Sequence, residues 1–183
     1  VASLDLDAGP THSISGTALV TAEVTGITTI DNATLTQTGV GSKLGTDGTT
    51  ASTVTVGAGG VYVANDGIAG NVINTGGEIN AAGTDFVSLD NNSGTSKIEG
   101  GSVVTGITTV DGGIVEVSAG RLIGQTTITD GTLNVLTNGD VGAVQVTGGT
   151  LDVDSGAVGA VQVTSNGILD VDGGTVASLD LDA

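Results

Sequence analysis

VGAVQVTGGTLDVD at residues 141–154 is followed by VGAVQVTSNGILDVD at residues 158–172. Each copy holds an apolar-x-apolar triplet, a short turn rich in Gly, and a second apolar-x-apolar triplet. Period-two alternation is the pattern of a β-strand with one buried face. The gaps are too short for a helix, and their glycines supply the positive φ that sharp corners need. Upstream, IGQTTITDGTLNV (123–135) repeats the module. VTGITTID (24–31) recurs as VTGITTVD (104–111).

Counting outward from these copies, the second apolar station of the first triplet falls at Leu6, Ile30, Val56, Asn74, Asn92, Val110, Ile128, Val146, Val163 and Leu181. Most steps are 17 or 18 residues. The partner triplet supplies Leu35, Val61, Ile79, Val115, Leu133, Leu151 and Leu169. A third column runs through Ile123, Val141, Val158 and Val176. Three apolar stations per turn describe a three-sided coil. One such turn cannot bury its own apolar face, but turns stacked at ~4.8 Å form a continuous core. The expected fold is all-β: a parallel β-helix, or β-solenoid, occupying residues 1–183 as a single unit. A left-handed hexapeptide coil needs inward residues at spacing six on all three sides, whereas Val146 and Leu151 are five apart. The expectation is therefore a right-handed coil.

Residues 1–8 and 176–183 both read VASLDLDA. This implies a tandem unit of 175 residues, about nine turns, with 176–183 opening the next copy. Further copies stacked end to end are the expected partners. Two long steps place surface insertions near 7–22 and 38–52, where a glycan or cell-surface ligand would bind. The turn at Asn92 is irregular: uniform counting puts Asp90, Asn92, Lys97 and Glu99 inside, but Val87, Leu89 and Ile98 lie nearby, so the register is expected to slip there. Inward Asn74 is expected to join an amide ladder.

Composition narrows function. Twenty Asp+Glu against three Lys+Arg leave a net charge of −17, which opposes binding to nucleic acid or an anionic membrane. There is no Cys, so disulfides and thiolate metal sites are excluded. No apolar stretch is long enough to span a bilayer as a helix, and no leader pattern opens the sequence. Catalytic residues are not expected. His12, the one histidine, lies in the 7–22 stretch, read as a solvated loop. Lys43, Lys97 and Arg121 are the available cations, and Tyr62 and Phe86 are isolated aromatics. Tyr62 is read as outward-facing.

The candidate site is acidic. Glu116, Asn134, Asp152 and Asp170 occupy successive outward stations, with Asp154 and Asp172 one step later. Like charges on adjacent turns repel, and Ca²⁺ would relieve this with oxygen ligands in irregular geometry. The metal candidates are therefore Asp152, Asp154, Asp170 and Asp172; the bland alternative is a solvated acidic face. Thr29, Thr55, Thr109 and Thr127 share an outward column. Gln145 and Gln162 interrupt it, which argues against a flat ice-binding array. Asn32-Ala33-Thr34 and Asn91-Asn92-Ser93 match the glycosylation sequon.

In GGTLDVDSGA (148–157), GGIVEVSAG (112–120), DGTLNVLTNG (130–139) and NGILDVDGGT (166–175), the chain resembles the β-helical passenger domains of bacterial autotransporters and related giant repeat adhesins. The resemblance covers most of residues 53–183. It implies a secreted or surface-exposed solenoid used in adhesion, aggregation or matrix building. None of the 183 residues reads as a membrane barrel, and the exact long-range repeat is unusual for a passenger. These departures favour a structural extracellular fibre over an autotransporter adhesin or a phage tail-fibre-like module. Polysaccharide processing is more remote.

Overall fold

The computed structural model describes residues 2–3, 11–164 and 166–182. The strands among them form a single parallel sheet wound into a coil of about ten turns. In the regular part, Ile114–Ser118, Arg121–Leu122 and Thr126–Ile128 pair with Thr132–Val135, Asp140–Val141 and Val144–Val146 respectively. Each of these three strands thus meets the strand three places later, so the coil is three-sided. No helix occurs among the described residues.

Three interior columns follow from the register. Ile14, Ile30, Val56 and Asn74 begin the first side, and Asn91, Val110, Ile128, Val146, Val163 and Leu181 continue it. The second side carries Ala18, Leu35 and Tyr62, then Ser96, Val115, Leu133, Leu151 and Leu169. The third carries Val24, Leu44 and Ala69, then Phe86, Val104, Leu122, Val141, Val158 and Val176. Most of these side chains are buried, and together they form one core. Corners between the first and second sides turn on glycine. Gly113, Gly131 and Gly149 have φ of 67°, 79° and 65°. A Cβ on Gly113 or Gly149 would lie 2.2 or 2.5 Å from a carbonyl oxygen of the rung before. Both the backbone conformation and the close approach require glycine there.

The expected β-helix is present, with Val146 fully buried between Ile128 and Val163. Several individual stations are corrected. Asn91, not Asn92, faces inward. A uniform period would have put Asp90, Lys97 and Glu99 in the core. The register slips there as expected, by one residue, and buries Leu89 and Ile98 together with Ser96, because unpaired charges are far costlier to bury than an irregular step. Leu122 fills the third column, and Ile123 lies beyond it in the corner, 51% exposed. Tyr62, not Val61, pairs with Leu35 and is fully buried. Its burial is possible because its hydroxyl donates to Gln37 Oε1 inside the coil. Gln37 Nε2 in turn donates to the Ser42 and Ile68 carbonyls, at 3.2 and 3.0 Å. Phe86 meets the Tyr62 ring edge-on, with centroids 6.4 Å apart.

The two expected insertions also change. Thr11–Val20 is a strand paired with Ile27–Thr38, with a register shift between Ile14 and Gly16, so that part of 7–22 belongs to the coil. Its alternating Ile14, Ala18 and Val20 are buried. Within 38–52, Lys43–Leu44 is a third-side strand with Leu44 buried. The chain leaves the coil at Gly45 and rejoins at Ser52, whose N–H donates to the Gly45 carbonyl at 2.7 Å. The outgrowth is therefore 46–51.

Candidate functional site

The last rung differs from those below it. Val161 and Val163 are 2% and 9% exposed, whereas their in-register partners Leu179 and Leu181 are 50% and 67% exposed. Val171 on the second side is also largely open, whereas its partner Val153 is fully buried. Apolar columns that are sealed elsewhere emerge here, beside the outer edges of Ile168–Val171 and Thr175–Asp182. No described residue pairs with those edges. Such an edge presents unpaired backbone groups and templates a further strand.

Residues 1–8 were expected to occupy the same place in the coil as 176–183. Val1 and residues 4–8 lie outside the described residues. Ala2 and Ser3 pair with Ala18 and Leu19 on the second side, whereas Ser178 pairs with Ala160 at the approach to the first side. At these two residues the identical segments are not equivalent. On the first side, Ile14 is in register with Ile30.

The four candidate metal ligands divide into two kinds. Asp152 and Asp170 are directly in register on adjacent rungs, in a row continuing Glu116 and Asn134. Asp154 and Asp172 stand in the turns that follow, both exposed. Desolvation holds the Asp152 carboxyl above its ordinary range, with further contributions from the negative charges of Asp154, Asp170 and Asp172. The four groups thus share one field. Among the described residues, no three carboxylates or imidazoles converge closely enough to hold a metal ion. The arrangement is a charged row along the coil.

His12 is buried, contrary to its expected place in a solvated loop, and Nε2 lies 2.9 Å from the Thr25 carbonyl oxygen. The strand Thr11–Val20 turns it inward beside Ile14. The sequons also separate: Asn32 is exposed, while Asn91 is buried with Nδ2 donating to the Gly112 carbonyl at 2.6 Å. The outward column pairs Thr29 with Thr55 and Thr109 with Thr127, then continues as Gln145 and Gln162.

One acidic pair escaped the sequence reading. Asp90, counted there as inward, lies outward in register with Thr109. One of its oxygens is nonetheless buried without a protein partner. Desolvation and then the charge of Asp111 raise its pKa. The signal was the one-residue slip at Asn91, which turns Asp90 outward. The 46–51 outgrowth is tied by Asp47, whose Oδ1 accepts from the N–H groups of Thr49 and Thr50 at 2.7 and 2.6 Å. Lys43 Nζ braces it by donating to the Asp47 carbonyl and to Glu23, at 2.9 and 3.1 Å. A shallow groove of about 430 Å³ runs over the corner glycines Gly60, Gly77 and Gly94, flanked by Glu78 and Lys97.

Compared with family models, with curated proteins and with solved structures, the chain matches none.

Proposed function

We propose that this chain is a structural segment of an extracellular β-solenoid filament, continued along its axis by further copies of the same repeat. The observation that carries the proposal is the unbroken register in which the apolar columns run on to the last described rung. Leu179 and Leu181 continue the columns of Val161 and Val163, yet they stand half or more in solvent. A further rung with the same apolar spacing would bury them and complete the strand edges. Two other features support the reading. The acidic surface keeps such an assembly soluble and resists side-to-side pairing. The repeat of VASLDLDA supplies the periodicity that a filament needs. The resemblance to surface-exposed repeat adhesins suits a location outside the cell.

The test is assembly of the purified chain, followed by light scattering and electron microscopy over rising concentration. Filaments that lengthen with concentration, and are abolished by the paired change Leu179→Lys and Leu181→Lys, are expected. A chain that stays monomeric throughout, with its β-sheet signal intact, would refute the filament.

A second reading has one observation in its favour. The 46–51 outgrowth departs from the coil and is held in shape by Asp47 and Lys43. An adhesin would present a contact loop in this way. Replacing 46–51 with Gly-Ser residues would then abolish attachment to cells or glycans and leave assembly untouched.

A further inference from the structure

The heptads VTGITTI (24–30), VTGITTV (104–110) and LIGQTTI (122–128) share one arrangement: a corner glycine, one residue, two threonines and a branched apolar residue. The coil treats the two threonines differently. The second faces outward. The first, Thr28, Thr108 or Thr126, faces inward and is at most 1% exposed. Elsewhere in this column the position holds Val54, Val72, Leu89, Val144 or Val161. The hydroxyl oxygens of all three inward threonines lack a hydrogen-bond partner in the protein. A buried hydroxyl without a partner is costly, and valine of nearly the same shape would avoid that cost.

Thr108 and Thr126 are in register on adjacent rungs. Adjacent parallel strands lie about 4.8 Å apart. The two hydroxyls do not bond each other directly, but a single water forming bonds of about 2.8 Å spans such a gap. Each hydroxyl can donate or accept, and ladder carbonyls keep a second lone pair for a third bond. Buried waters make about three such bonds to polar groups that would otherwise go unsatisfied. Thr28 differs, because its column neighbours are Val54 and the His12 ring rather than another hydroxyl.

We propose that Thr108 and Thr126 bind one structural water inside the coil, bridging the two rungs. Leu89 below and Val144 above close the site along the column. The water ties rungs whose column is otherwise interrupted by polar groups. The inference is independent of filament formation, because the site lies wholly within one chain.

The test joins a spectroscopic and a thermodynamic readout on the whole chain. Water-selective NMR should show Overhauser transfer from a long-lived water to the γ-methyl protons of Thr108 and Thr126. Thr108→Val and Thr126→Val should each abolish transfer to the remaining threonine. In denaturant titrations the two changes should be non-additive, because the second removes a hydroxyl whose water has already gone. Absence of transfer in the unaltered chain overturns the proposal. So does transfer that survives loss of either hydroxyl, or strictly additive effects on the unfolding midpoint. Valine preserves the shape of threonine, so the variants should retain the fold.

Discussion

Asn74 Nδ2 donates to Asn91 Oδ1 at 3.1 Å across two rungs, with both side chains fully buried. Ser96 Oγ donates to the same oxygen at 2.7 Å, and Asn74 Oδ1 accepts from the Gly76 and Gly77 N–H groups at 3.2 and 2.9 Å. The expected amide ladder therefore exists, with Asn91 as its second member. Replacing one partner strands the others. Asn91→Ala is expected to lower stability by about 1–3 kcal/mol for the unsatisfied groups it leaves. Urea titration measures this, and an unchanged midpoint would show that the ladder is energetically idle.

Leu122 and Ile123 form a direct test of the corrected third column. Leu122→Ala removes a side chain packed between Val104 and Val141 and should cost about 2–5 kcal/mol. Ile123→Ser alters an exposed corner and should stay within about 0.5 kcal/mol. Reversed magnitudes would restore the original spacing.

The Asp152 row makes stability depend on pH. Its folded-state pKa lies above the ordinary aspartate value. The folded state therefore holds a proton more readily than the unfolded state, and stability falls as pH rises through that window. Asp152→Asn should raise the melting temperature at pH 7, with the gain shrinking as pH falls to the ordinary aspartate range. A gain independent of pH would point to a cause other than charge repulsion. Calcium and chelator should be compared on the same melts, since a metal held by this row would stabilise the unaltered chain and lose its effect in the variant.

Asp47 behaves in the opposite sense. Hydrogen bonds from Thr49 and Thr50 hold its carboxyl down at about 2. The carboxylate's contribution is present above the ordinary aspartate pKa and is lost as pH falls through about 2. Asp47→Ala should speed amide exchange at Thr49 and Thr50 at neutral pH without moving the global melting transition, because the outgrowth lies outside the core. Exchange rates equal to those of the unaltered chain would show that the loop is held otherwise.

Burial raises the Tyr62 pKa well above its ordinary value. Alkaline titration followed by phenolate absorbance should therefore stay silent until the coil opens, and then rise with the loss of β-structure. The phenol contributes stability below pH 10 that is lost as pH climbs beyond it. Smooth ionisation with the fold intact would place Tyr62 in solvent.

The sequence by itself determined the class of fold and most of its regular part. From Val110 to Leu181 the alternation of apolar and polar residues leaves one way to bury the Val, Ile and Leu columns, and the Asp152–Asp170 pairing follows from the same spacing. Alternation assigns faces only within a strand, and its phase restarts at every corner. Corner length is set by glycine turns and by carbonyl contacts with the rung below, neither of which has a period. Only tertiary structure could therefore decide that Tyr62 rather than Val61 turns inward, and Leu122 rather than Ile123. The same holds for Asn91: burying charge was worse than breaking the period, and the Asn74 amide was waiting across the rung. The strand Thr11–Val20 was hidden for a related reason, since His12 and Gly16 obscured an alternation that becomes evident only when Ile14 stacks on Ile30. The acidic row was legible as a stack of positions. Whether its carboxylates spread along the coil or close around an ion depends on side-chain directions that only the three-dimensional packing sets.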